Sequence, residues 1–242
     1  MILLHEPALI FLKPHKVAGT SFEIALSSFA GPRDIITPYG KVSRADELTR
    51  RERGYTSPQN YAYPWYRLPF LPRSEWQFAY SRRQLPKRFR NHLPAAQVKQ
   101  RLGEEIWNRS LKVSIVRSPF DRAVSAYFWR RKPGEDFGAY LDRDLRYLRA
   151  NDRHYRIGGE NCIDVYLRYE NIGDDIAALE TRLPELAGLG TIFASLSAKS
   201  GHRPKTASVR ELFASAPGSV QMMEDNFQFE IERFGYRLKD CH

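Results

Sequence analysis

The sequence predicts an α/β fold, with one central parallel sheet flanked by helices. Three observations carry this expectation. Ala8-Leu9-Ile10-Phe11-Leu12, Leu111-Lys112-Val113-Ser114-Ile115-Val116 and Ile163-Asp164-Val165-Tyr166-Leu167-Arg168 are apolar or alternating runs of strand length. Each is followed by a loop and then by a helical pattern. Strands separated by helices pair in parallel through βαβ crossovers, and such sheets bind ligands at the carboxyl ends of their strands. A chain of 242 residues suits one domain of this kind.

The elements follow in order. After the 8–12 strand and a loop, Phe22, Ile24, Ala25 and Phe29 mark a helix that Gly31-Pro32 ends. From Arg33 to about Arg73 the periodicity is poor and Pro, Tyr and Arg are frequent, including Tyr55, Tyr61, Tyr63, Trp65 and Tyr66. This reads as an insertion that packs over a site or holds a ligand. Pro94 to Gly103 reads as a helix with Pro in its first turn. The 111–116 strand leads into a helix through about Arg130, with Ser118 as N-cap and Pro119 at the first helical position. Phe137 to Arg149 is a helix, Ile163 to Arg168 a strand, Ile172 to Leu183 a helix, and Gly218 to Phe234 one closing helix. There are no repeats and no low-complexity tracts.

Composition narrows the class. With 42% hydrophobic and 13% aromatic residues the chain folds rather than staying disordered. The net charge of +10 attracts polyanions, whether nucleic acid, an anionic membrane or a phosphorylated or sulfated small molecule. The two cysteines, Cys162 and Cys241, match no disulfide framework and no zinc spacing, which fits a reducing cytoplasm. Met1 to Glu6 resembles no signal peptide, and no stretch is long and apolar enough to span a membrane. No cluster of His, Cys, Asp or Glu has metal-ligand spacing, so no metal is expected.

Two loops carry the chemistry. Lys13-Pro14-His15-Lys16-Val17-Ala18-Gly19-Thr20-Ser21 lies between a strand and a helix. Ala18 and Gly19 let backbone N–H groups approach an anion, the helix start adds orphan donors, Thr20 and Ser21 add hydroxyls, and Lys16 adds a charge. The lysine precedes the glycine, so this is not a Walker A loop. By itself the loop reads equally as a plain strand-to-helix turn. In Arg117-Ser118-Pro119-Phe120-Asp121-Arg122-Ala123-Val124-Ser125, Arg117 ends a strand where its fork can hold a phosphate, and Ser125 lies two helical turns on. Asp121 and Arg122 read as ordinary members of a local salt-bridge cluster with Arg117.

Taken together, the two loops resemble those of sulfotransferases that use 3′-phosphoadenosine 5′-phosphosulfate (PAPS). Lys16 to Ser21 is similar to the family's 5′-phosphosulfate loop, and Arg117 to Ser125 to its 3′-phosphate motif, about a hundred residues apart as is typical. His15 stands where Pro is usual and Ser118 where Asp or Asn is usual. Leu167-Arg168-Tyr169-Glu170-Asn171-Ile172 and Phe229-Glu230-Ile231-Glu232-Arg233-Phe234-Gly235-Tyr236 resemble two further family segments, the latter from bacterial and Golgi-type carbohydrate sulfotransferases. The resemblance implies a P-loop-like three-layer fold. It also implies PAPS as donor, 3′-phosphoadenosine 5′-phosphate (PAP) as product and a hydroxyl acceptor, most naturally a glycan or glycolipid. Lys16, Val17, Ala18, Gly19, Thr20 and Ser21 would hold the 5′-phosphosulfate, Arg117 and Ser125 the 3′-phosphate, and Arg203 and Lys205 would correspond to the family's basic loop. No nucleic acid is expected as a partner.

Sulfuryl transfer to an alcohol needs a proton acceptor, and a histidine suits it at neutral pH. Of six histidines, His92 in Asn91-His92-Leu93-Pro94 resembles the catalytic histidine of the cytosolic sulfotransferases. Glu23 and Glu75 are the alternatives. Two other function classes stay open: a P-loop kinase or NTPase, and a nucleic-acid module built on the basic charge and the aromatic stretch from Asn60 to Trp76.

Overall fold

The structure is a computed structural model that describes residues 1–39, 44–197, 204 and 207–241. Its centre is a five-stranded sheet of β1 (Ile2–Leu4), β2 (Leu9–Leu12), β3 (Ile35–Ile36), β4 (Leu111–Val116) and β7 (Val165–Arg168), in the order β3-β1-β2-β4-β7. The expected parallel arrangement holds for β2, β4 and β7, with Phe11 opposite Val113 and Ile115 opposite Leu167. The sheet as a whole is mixed, which corrects the all-parallel expectation. β1 runs antiparallel to both β2 and β3. Only residues 5–8 join β1 to β2, and so short a connection permits a hairpin but no crossover.

Side-chain alternation divides the core. Leu9, Phe11, Val113 and Ile115 face one layer, where they meet Phe22, Ile24 and Leu26 of α1 (Gly19–Leu26). The same layer holds Ile176 and Leu179 of α9 (Ile172–Arg182) and Leu189 and Phe193 of α10 (Leu189–Ser197). Ile10, Leu12 and Val116 face the other layer, against Val98 and Leu102 of α4 (Ala95–Leu102) and Trp107 of α5 (Glu104–Arg109). Burial on both faces explains why β2 reads as a continuous apolar run. A third cluster joins α6 (Pro119–Arg130), α7 (Phe137–Arg149), α11 (Val209–Ala214) and α12 (Ser219–Asn226) around Phe120, Phe137 and Phe213. Between α7 and β7 lie α8 (Asp152–Tyr155) and a small hairpin of β5 (Arg156–Ile157) and β6 (Glu160–Asn161).

The 33–73 stretch contributes the edge strand β3, then α2 (Arg44–Glu52) and a 3-10 helix at Trp65–Phe70, and runs into α3 (Arg73–Ser81). Ile36 and Gln59 exchange backbone hydrogen bonds of 3.1 Å, which ties the stretch to the sheet. The closing helix is two helices, α12 and α13 (Gln228–Phe234), because Phe227 leaves helical geometry and buries its ring in the third cluster.

That break aims α13 inward. Glu230 accepts a hydrogen bond of 2.5 Å from Arg122 Nη1, both groups being buried. Arg122 therefore pairs across the fold and not with Asp121 as expected. Its Nε and Nη2 have no protein partner among the described residues, so Glu230 is its one counter-charge there. Glu230→Ala would strand a buried guanidinium and is expected to lower unfolding stability by about 3–5 kcal/mol, measured by urea denaturation.

Candidate active site

The β2–α1 loop is built to present its backbone. Lys13 is fully committed: its buried Nζ donates to Glu23 Oε2 at 2.8 Å and lies 4.6 Å from the Tyr39 ring centre. A Cβ at Gly19 would lie 2.9 Å from Lys13 Cγ, so only glycine lets α1 start this close to the strand. Lys16 and Ala18 both have left-handed backbones, φ 61° and 60°, at a cost of about 1–2 kcal/mol each. Three contacts impose the shape. Asn151 accepts from His15 N–H at 2.7 Å and donates to His15 C=O at 2.9 Å, Val17 is buried, and Arg117 Nη1 donates to Lys16 C=O at 3.1 Å. The result is a run of six N–H groups, Lys16 to Ser21, with no acceptor among the described residues. The first backbone bond of α1 is made by Phe22 N–H to Ala18 C=O, 3.3 Å. Such a run of N–H groups at a helix start has the chemistry that suits an anion.

Arg117 closes one side of it. Besides the bond to Lys16, its Nε donates to Asp121 at 2.6 Å and its guanidinium lies 4.0 Å from the Tyr169 ring centre. Asp121, Ser125 and Trp129 are spaced four apart on α6 and share one face. Asp121 meets Arg117 at one end of that face, and Trp129 lies under Lys16 Nζ, 4.7 Å from the ring centre, at the other. Ser125 lies between them on that face of the helix. Ser118 is the N-cap, as expected, but its side chain caps nothing: Oγ contacts Cys241 Sγ at 3.3 Å. Glu170 instead accepts from the N-cap residue's own backbone, Ser118 N–H, at 2.7 Å, and from Tyr236 O–H at 3.1 Å. Four segments distant in sequence thus converge through Lys16, Arg117, Tyr169, Glu170 and Tyr236.

His92 stands on the other side of the loop. It too has a left-handed backbone, φ 55°, and its Nδ1 lies 3.0 Å from Lys13 C=O. A carbonyl only accepts, so Nδ1 carries the proton and Nε2 keeps a free lone pair. The ring stacks on His15, 3.8 Å between centres at 18°, and His154 meets both edge-on. The three histidines line a cavity of about 470 Å³ with Arg82, Lys87 and Arg153 around it and no carboxylate among the described residues of its wall. Burial holds all three neutral: His15 is pushed down to about 3, His154 to about 4, and His92 well below the usual range.

This cluster makes the fold acid-sensitive. An unfolded histidine takes up its proton near 6.5, whereas His15 cannot until about 3 and His154 until about 4, and burial shifts His92 in the same direction. The unfolded chain therefore binds more protons in between, and stability present above pH ~6.5 is lost as pH falls, by up to ~1.4 kcal/mol per unit per histidine. Melting temperature is expected to drop over that window, and His154→Phe to flatten the slope. A profile identical to wild type in that variant would contradict the assignment.

The lysine charge also responds to its setting. Burial, then the nearby Arg117 charge, lower Lys16 to about 8, which leaves it mostly protonated at neutral pH. No carboxylate pairs with it among the described residues.

Direct contacts thus join Arg117 to the loop through Lys16 C=O, bring Lys16 onto the α6 face that carries Ser125, and set His92 against the same loop. Val17 can offer only its backbone, since its side chain is in the core. No contact joins Lys16 Nζ to His92 among the described residues; the amine rests on Trp129. Arg203 and Lys205 lie outside the described residues. Glu23 and Glu75 are not available as bases: Glu23 is buried on Lys13, and Glu75 is paired with Arg101 and, at 3.8 Å, with Arg90. Sequence reasoning did not single out Asn151, His154, Trp129 or Tyr236 O–H. Their partners are 66 to 136 residues distant for Tyr236 and Asn151, and no local pattern marks such pairings.

No described helix is long and apolar enough to cross a membrane, and no described group of three or more His, Cys, Asp or Glu could hold a metal ion. Comparison with known proteins returns no family model, no curated protein and no solved structure that matches the chain.

Proposed function

We propose that the chain is a PAPS-dependent sulfotransferase with a hydroxyl acceptor, a carbohydrate by preference. One observation carries the reading. The uncommitted N–H run of Lys16 to Ser21 is joined through Lys16 C=O to Arg117, the residue that follows β4 and pairs with Asp121 on the α6 face bearing Ser125. Two anion sites fused in this way suit a 3′,5′-bisphosphate better than they suit a triphosphate, whose phosphates are consecutive.

The residues divide the work. The loop amides and the Thr20 and Ser21 hydroxyls hold the 5′-phosphosulfate; Arg117 and Ser125 hold the 3′-phosphate. His92 Nε2 takes the acceptor's hydroxyl proton as its oxygen bonds to sulfur in line with the breaking S–O bond. The electron pair of that bond stays on the bridging phosphate oxygen, and Lys16 stabilises the charge formed there. Neutral His92 is ready to accept at physiological pH, and its Nδ1–H bond to Lys13 fixes the tautomer this needs.

The test is transfer of ³⁵S from labelled PAPS to glycans, lipids and small molecules extracted from the host. Wild type should label at least one acceptor. Absence of any labelled product, together with absence of PAP binding, would overturn the enzyme reading.

A further inference from the structure

Among the described residues, the segment from Trp65 to Leu85 carries most of the exposed large apolar side chains. Trp65 is 81% exposed, Phe70 86%, Tyr80 87% and Leu85 69%, with Tyr66 and Trp76 also exposed. Soluble surfaces rarely gather so many in twenty-one residues. They are not loosely held. The inner face of α3 is pinned: Glu75 takes Arg101, Arg90 lies 3.9 Å over the Phe78 ring, and Ala79 is buried. Arg73, Trp76 and Tyr80 follow at helical spacing on the outer face.

Charge says what this face meets. Residues 55–103 contain nine Lys and Arg and a single acid, Glu75, so they hold +8 of the chain's +10. Glu75 is already neutralised by Arg101. Arg67, Arg73, Arg82 and Arg83 stand among the exposed rings without a carboxylate partner among the described residues. Trp, Tyr, Phe and Leu beside arginines, on a surface with no free acid, is the composition that settles into the headgroup layer of an anionic bilayer. Single-stranded nucleic acid is the other polyanion, but it needs ring faces arrayed along a groove. Here Trp65 and Tyr66 meet at 84°, and Phe70 and Leu85 offer no polar group to a base or phosphate.

We infer that the Trp65–Leu85 face docks the protein peripherally on an anionic membrane surface. The same segment supplies Phe78, Arg82 and Gln84 to the wall of the His92 cavity. On the sulfotransferase reading, docking would put that cavity at the interface, and the acceptor hydroxyl would be carried on a lipid.

Cosedimentation with vesicles tests this without PAPS. Wild type should bind phosphatidylcholine vesicles containing phosphatidylglycerol, release with added salt, and ignore pure phosphatidylcholine. The triple variant Trp65→Ser, Phe70→Ser, Tyr80→Ser should lose at least ~10-fold in partitioning. It should keep the wild-type melting temperature and PAP binding. Absence of vesicle binding by wild type would overturn the inference, as would unchanged partitioning of the folded triple variant. So would tighter binding of a single-stranded oligonucleotide that the same variant abolishes, or loss of a dimer in that variant with vesicle binding unaffected. Vesicle binding without sulfation would sink the enzyme reading alone; sulfation of soluble glycans without vesicle binding would sink this inference alone.

Discussion

Lys16→Ala is expected to lower kcat/KM for sulfuryl transfer by about 10²–10³-fold with little change in melting temperature. The magnitude is that of removing one charged or hydrogen-bonding group from the place where transition-state charge develops. The side chain touches only the Trp129 face among the contacts described, so its loss opens no core cavity. Ala18, two residues on, already shows that this loop accommodates alanine at φ near 60°. Steady-state kinetics with a labelled acceptor read the effect. Wild-type kcat/KM should also fall above pH ~8, where the free enzyme's Lys16 loses its charge, and this limb should be absent from the Lys16→Met profile. Equal rates in wild type and Lys16→Ala would remove the lysine from the chemistry.

His92→Asn is the second large effect: a loss of about 10²–10⁴ in kcat with PAP affinity retained. Asparagine is the informative replacement because it tolerates the left-handed backbone that His92 adopts, φ 55°, so a fall in rate cannot be laid to backbone strain at position 92. The base leaves while the anion site stays, since none of the phosphate-cradle groups bonds to His92. If kcat falls and PAP affinity falls with it, His92 is shaping the loop and not taking a proton. If neither changes, the base is elsewhere, and the neighbouring His15 and His154 become the groups to substitute.

Much of the fold was legible because it is locally encoded. The 111–116 strand and the 137–149 helix lie where their periodicities put them, and Pro119 opens α6 as its fixed φ dictates. What escaped depends on distant partners. β1 is three residues whose strand identity comes from pairing with β2 and β3, so the sheet read as parallel. The 218–234 pattern reads as one helix because burial of Phe227, which breaks it, is decided by α6 and α7. Arg122 looked like a surface arginine beside Asp121, yet its partner is 108 residues away.

The candidate site divides in the same way. The Lys16 loop and Arg117 were visible as residue types in order. Their joining through Lys16 C=O was not, and neither was the left-handed backbone at Lys16, which no side chain there advertises. His92 was a choice among six histidines. That it stacks on His15 and meets His154 follows from the meeting of the β2–α1 loop, the segment before α4, and α8.

Calorimetric titration with PAP tests the central claim most directly, because it needs no knowledge of the acceptor. Wild type should bind it without Mg²⁺, Lys16→Ala should bind at least ~10-fold more weakly, and Ser125→Ala should show a smaller loss. Absence of PAP binding by folded wild type, with ATP and Mg²⁺ binding in its place, would contradict the two-anion site and favour a nucleotide triphosphate enzyme.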